Sequence, residues 1–199
     1  MTASSKLSKT TFSPETEKLI IDVISRVVKF SSEADSILSQ YQLPTVVEGA
    51  NLLIENIFTK FHSIVKEISE RHQDRSTLEI NDEFDVQDLL RGLLRLHFDD
   101  VRYEEYTPSY AGSSARMDLL LKNEKIVIET KMIRKNLGQK RVREELIIDK
   151  AYYKGLKDCR TLYCFVYDPE EKIRNPRGFE NDLSDKTETL ETKVFVVSK

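Results

Sequence analysis

One strand-length apolar run in this chain is interrupted by an acid, and the next ends in an acid and a lysine. The first is Arg116-Met117-Asp118-Leu119-Leu120-Leu121 and the second is Ile126-Val127-Ile128-Glu129-Thr130-Lys131. Runs of this length between polar turns fit buried strands, yet a buried strand offers no water to hydrate a charge, so its carboxylates need partners. The four residues between them, Lys122-Asn123-Glu124-Lys125, are polar and few enough for a hairpin turn. With Asn123 and Glu124 as the two turn residues, Lys122 lies opposite Lys125. The antiparallel register then sets Asp118 across from Glu129, with Cβ atoms about 5 Å apart. Strand side chains alternate in direction, so Lys131 projects from the same face as Glu129.

Two carboxylates at one spot repel unless a divalent cation or a shared proton relieves them. With a lysine beside them they form a site suited to metal-assisted attack of water on a phosphodiester. Spacing alone leaves a second reading open, in which Asp118 and Glu129 are solvated strand ends and Lys131 is a surface counter-ion.

The order Asp118, then Glu129-Thr130-Lys131 on the next strand, resembles the signature of the PD-(D/E)XK nuclease superfamily, an acid on one strand followed by acid-x-Lys on its neighbour. The surrounding text is more specific. It runs from Phe84-Asp85-Val86-Gln87-Asp88-Leu89-Leu90 through Tyr110-Ala111-Gly112-Ser113-Ser114-Ala115-Arg116 to Glu145-Leu146-Ile147-Ile148-Asp149. It continues with Leu162 to Pro169, Asn175-Pro176 and Asp182-Leu183-Ser184. Residues 80–199 thereby resemble the branch named after the Dpn and Mbo restriction endonucleases, also found as nuclease modules in bacterial defence proteins. Met117 stands where the superfamily name has proline, a position that binds no metal in such enzymes.

The resemblance implies an α/β, restriction-endonuclease-like core, a central mixed sheet flanked by helices. It implies a metal-dependent endonuclease, acting on DNA in preference to RNA, as a restriction enzyme or a defence nuclease. Asp118 and Glu129 would bind Mg²⁺ (Mn²⁺ substituting), with Thr130 supplying a backbone carbonyl, and Lys131 would orient water and stabilise charge. Such enzymes often add an acid from the first core helix, for which Glu83 and Asp88 are both candidates. Glu145, on the helix after the site, is a further candidate, although an i,i+4 pair with Arg141 accounts for it equally well. The rival class is a non-cleaving nucleic-acid-binding or assembly subunit that keeps the fold.

Net charge of −3 excludes a generic nucleic-acid binder, so phosphate attraction has to be local. From Lys131 to Arg143 the chain has no acid, and Arg134, Lys135, Lys140 and Arg141 are candidate phosphate contacts or a solvated basic face. Two cysteines, Cys159 and Cys164, and three scattered histidines form neither a disulfide framework nor a zinc pattern. With no leader-like or membrane-length apolar stretch, a cytoplasmic protein with no membrane partner is expected.

Residues 1–12 read as a disordered tail. Residues 13–75 read as two amphipathic helices joined near Pro44, a hairpin whose apolar stripes exceed what two helices cover and which would make a homodimer or dock on a partner protein. The nuclease domain is expected over 80–199. Its order is helix from about 81, strands near 101–106, 115–121 and 126–131, helix 140–154, strand 161–167, turns at Asp168-Pro169 and Asn175 to Gly178, and a last strand at 193–197.

Overall fold

The computed structural model describes residues 13–40, 46–106, 116–134 and 138–199. The chain forms two compact units, residues 1–45 and 46–199. In the first, helix α1 spans Pro14–Gln40. It starts where a capping serine and a first-turn proline should start it: the Ser13 hydroxyl accepts from the Thr16 backbone N–H at 3.2 Å. Its apolar residues, Val23, Val27 and Phe30 among them, are exposed. The turn expected to follow α1, residues 41–45, lies outside the described residues, as do 1–12, 107–115 and 135–137.

The second unit is built on a six-stranded mixed sheet. Its elements are α2 (Val46–Ser69), α3 (Glu83–Leu94), β1 (Val101–Tyr106), β2 (Arg116–Leu121), β3 (Ile126–Met132), α4 (Gln139–Tyr153), β4 (Thr161–Tyr167), α5 (Pro176–Leu183), β5 (Asp185–Lys186) and β6 (Glu191–Val197). Strand order is β1-β2-β3-β4-β6-β5. β1, β2 and β3 form an antiparallel meander, β3, β4 and β6 are parallel, and β5 pairs antiparallel with β6. All seven residues of β4 are buried, as a central strand with helices on both faces requires.

Alternation along the strands sorts the core into two layers. Leu119, Leu121, Ile126, Ile128 and Phe165 pack with α2 and α3. Leu120, Val127, Leu162, Cys164 and Val166 pack with α4 and α5. The apolar stripe of α2, expected to belong to a hairpin ahead of residue 80, therefore covers the sheet: Ile54, Phe58 and Phe61 are fully buried, and Phe58 lies 4.7 Å from the Phe165 ring centroid. Periodicity shows that a helix face is apolar but not which surface will cover it. A second difference lies at Asn175 to Gly178. The expected turn is the first turn of α5, where Asn175 caps by accepting from the Gly178 N–H at 3.0 Å and Pro176 occupies the first helical position.

Candidate active site

The β2–β3 turn takes four residues, 122–125, instead of two, with Lys125 in the left-handed region at φ 57°. The register is nevertheless the one a two-residue turn would set. Leu121 pairs with Ile126, Leu120 with Val127 and Leu119 with Ile128, so the next step places Asp118 opposite Glu129. Both face the α4 side, as Leu120 and Val127 do.

Hydrogen bonds fix each carboxylate by one oxygen. Asp118 Oδ2 accepts from the Thr130 backbone N–H and from Thr130 Oγ1, both at 2.8 Å. The Thr130 hydroxyl in turn accepts from Gln87 Nε2 of α3 at 3.0 Å. Glu129 is 4% exposed, and its Oε1 accepts a short hydrogen bond from the Tyr153 hydroxyl of α4. Among the described residues this leaves Asp118 Oδ1 and Glu129 Oε2 as the oxygens without such a bond.

Lys131 sits among acids from three elements. Its Nζ is 3.6 Å from Asp149 Oδ2, 3.9 Å from Glu83 Oε1 and 3.9 Å from Glu129 Oε2. Burial works to lower the lysine pKa, but the fields of Asp149, Glu83, Glu129 and Asp118 outweigh it and hold the ammonium well above the ordinary lysine range. Glu129 moves the same way for the opposite reason: burial, then repulsion from Asp118 and Asp149, pushes its carboxyl up to about 8 despite Lys131 and Tyr153. Glu83 and Asp149 are also raised, chiefly by burial and against the pull of Lys131.

Of the residues singled out from sequence, Asp118, Glu129, Thr130, Lys131 and Glu83 come together. Asp88 does not: it is exposed on α3 and bonded to Arg91 at 3.0 Å, because the face of α3 that meets the site carries Glu83 and Gln87, four apart. Glu145 pairs with Arg141 at 3.1 Å, yet its charge still reaches Glu83 and Asp149, which puts it at the rim. Arg134 is exposed just beyond β3, and Lys140 pairs with Glu144 at 4.0 Å. Lys135 lies outside the described residues.

Three contributors escaped sequence reasoning: Gln87, Asp149 and Tyr153. The sequence held a signal for two of them. Glu145, Asp149 and Tyr153 recur every four residues, which sets an acid, an acid and a hydroxyl along one face of α4.

Among the described residues no three His, Cys, Asp or Glu side chains form a ready cage for a metal ion. The donor set nevertheless suits a hard cation that keeps several waters. Two facing carboxylates each offer an oxygen, and the mutual repulsion that raises Glu129 is what a divalent charge relieves.

Residues 52–199 match the family model described as REase_DpnII-MboI, which covers the sheet, α3, α4, α5 and most of α2. No curated protein and no solved structure matches the chain. No helix among the described residues is long and apolar enough to cross a membrane. A family match over most of the chain, on a mixed sheet whose adjacent strands carry Asp118 and Glu129-Thr130-Lys131, places this protein in the DpnII-MboI restriction endonuclease family.

Proposed function

We propose that the chain is a divalent-metal-dependent endonuclease that hydrolyses DNA phosphodiesters, acting as a restriction enzyme or as a nuclease effector in bacterial antiviral defence. The observation that carries this reading is the pairing of Asp118 with Glu129 across two adjacent strands, beside a part-buried Lys131 whose charged form four acids favour. Asp118, Glu129 and the Thr130 carbonyl would hold Mg²⁺ or Mn²⁺. A cation bound there supplies a water of lowered pKa and a Lewis acid for the phosphoryl oxygens.

The remaining work falls to the protein. The acids around Lys131 favour its charged form, so it would serve as a positive charge for the scissile phosphate and as an orienting donor. Glu83, Asp149 and Glu129 set where that charge sits. Tyr153 holds Glu129, and Gln87 through Thr130 holds Asp118, so both carboxylates are oriented before any ligand arrives. Arg134, Lys135, Lys140 and Arg141 would follow the backbone of the bound strand. The test is incubation of purified protein with plasmid, linear duplex, single-stranded DNA and RNA, each with Mg²⁺ and with chelator. Metal-dependent cuts in DNA support the reading, and cleavage of RNA alone overturns the substrate.

The form that acts on both strands would be a pair of chains joined through α1. Ile20, Val23, Val27 and Phe30 follow three-four spacing, which continues in the sequence at Ala34 and Ile37, and places Arg26 and Glu33 one heptad apart beside the seam. In an antiparallel pair with Val27 level with the other copy's Phe30, Arg26 of each helix faces Glu33 of the other. A parallel pair would instead set Arg26 against Ser31 and Glu33 against Leu38. Charge thus favours a two-fold antiparallel dimer, a symmetry that also provides one site per strand.

A further inference from the structure

We propose that a cleft at the N-terminal end of β3 binds a small, multiply charged phosphate anion, of the size of a nucleoside triphosphate. The cleft, about 790 Å³, lies where the β2–β3 turn, the end of α4, the segment entering β4 and the β5–β6 turn meet. Lys125, Lys154, Lys157, Arg160 and Lys186 line it, and the acids in its lining are Glu188 and Glu191. Of the five cations only Lys186 is in an ion pair, with Glu191 at 3.4 Å. Lys125, Lys154, Lys157 and Arg160 form none among the described residues, and Asp158, whose field reaches Lys125, is already held by Lys122 at 2.6 Å.

A single lysine at the end of a helix needs no ligand, because it complements the carbonyls there, and Lys154 stands at the C-cap of α4. That account does not extend to the other three. Lys125 and Arg160 are drawn together by the fold itself: the Arg160 N–H donates to the Lys125 carbonyl at 2.8 Å, and the Arg160 carbonyl accepts from the Glu191 N–H at 2.9 Å. On a chain of net charge −3, four like charges left unpaired around one concavity focus a positive field into it.

The ligand is a free anion more than a stretch of substrate backbone. From Lys125 to Glu129 the strand covers about 13 Å, so a phosphodiester at the carboxylates lies that far from the cleft. The volume suits a mononucleotide, while a duplex would bridge its rim.

The binding is independent of cleavage, and its test is made so. Full-length protein carrying Asp118→Ala is titrated calorimetrically, in chelator, with ATP, with inorganic triphosphate and with a short duplex. Lys157→Glu and Arg160→Glu versions are titrated beside it, with circular dichroism as the check on folding. The expected result is saturable binding of ATP and triphosphate that weakens at least tenfold in each variant, with duplex affinity unchanged. If Arg160→Glu unfolds the chain, exposed Lys157 alone decides. No binding at millimolar ligand, an affinity indifferent to Lys157→Glu, or an equal loss of duplex affinity would overturn the proposal, the last because it would assign these cations to DNA.

Discussion

Thr130 donates twice to one oxygen of Asp118, from its backbone N–H and from its hydroxyl, each at 2.8 Å. The residue between the acid and the lysine of β3 thereby orients the acid of β2, and all four side chains behave as one unit. Changes to any member should be felt by the others.

The pH dependence of stability follows from Glu129. Its folded pKa of about 8 lies above the ordinary value of 4.5, so the folded chain retains a proton that the unfolded chain releases. Stability is therefore fully present below about 4.5, falls as pH rises toward 8, and then levels off, an effect of up to roughly 5 kcal/mol. Thermal melts of metal-free protein should show that decline, and Glu129→Gln should flatten most of it, with Glu83 and Asp149 supplying the remainder. Mg²⁺ should restore wild-type stability at pH 8. Parallel profiles for wild type and variant would remove Glu129 as the cause.

Lys131→Ala should lower turnover about a hundredfold or more while changing duplex affinity only a few-fold, because its charge acts on the reacting phosphate. Arg134→Ala should do the reverse, weakening binding with a salt dependence shallower by about one counterion. Single-turnover rates and binding isotherms at several salt concentrations separate the two. A Lys131 variant that turns over normally once saturated would contradict its role.

Tyr153→Phe deletes one hydroxyl and leaves a buried carboxylate oxygen without its donor. A loss of about 1 to 3 kcal/mol in stability is expected for the metal-free chain at pH 9. Metal affinity, measured by calorimetry, should fall about tenfold or more as Glu129 loses its orientation. Unchanged metal affinity would make Tyr153 a packing residue only.

The α1 pairing is tested by charge exchange. Arg26→Glu and Glu33→Arg should each weaken self-association at least tenfold in sedimentation equilibrium, and mixing the two single variants should restore it. In a parallel pair, or in a helix docked within its own chain, mixing would restore nothing. Circular dichroism guards against the loss of the helical pairs of Arg26 with Asp22 and Lys29 with Glu33.

The pairing of Asp118 with Glu129 was legible because side-chain alternation and a short polar turn admit few registers, and a four-residue turn preserved the one a two-residue turn implies. The strand and helix order was legible for the same reason, from apolar period and length. The contribution of α4 was half legible: four-residue spacing sets Asp149 and Tyr153 on one face, but nothing in the sequence says that this face turns toward the sheet and not to solvent. The place of α2 was hidden, since Phe58 and Phe61 would look alike on a docking face and on a core face. Asp88 was as good a candidate as Glu83 until the α3 face was known, and five residues set them about 140° apart around the helix.

The most direct measurement is plasmid cleavage by wild type, Asp118→Asn and Glu129→Gln, with Mg²⁺ and with chelator, alongside their melting temperatures. The account predicts nicking or linearisation by the wild type that chelator abolishes, activity lowered a thousandfold or more in both variants, and metal-free stability equal to or above that of the wild type, since each change relieves a carboxylate repulsion. Wild-type cleavage that persists in chelator, or full activity in both folded variants, would contradict it.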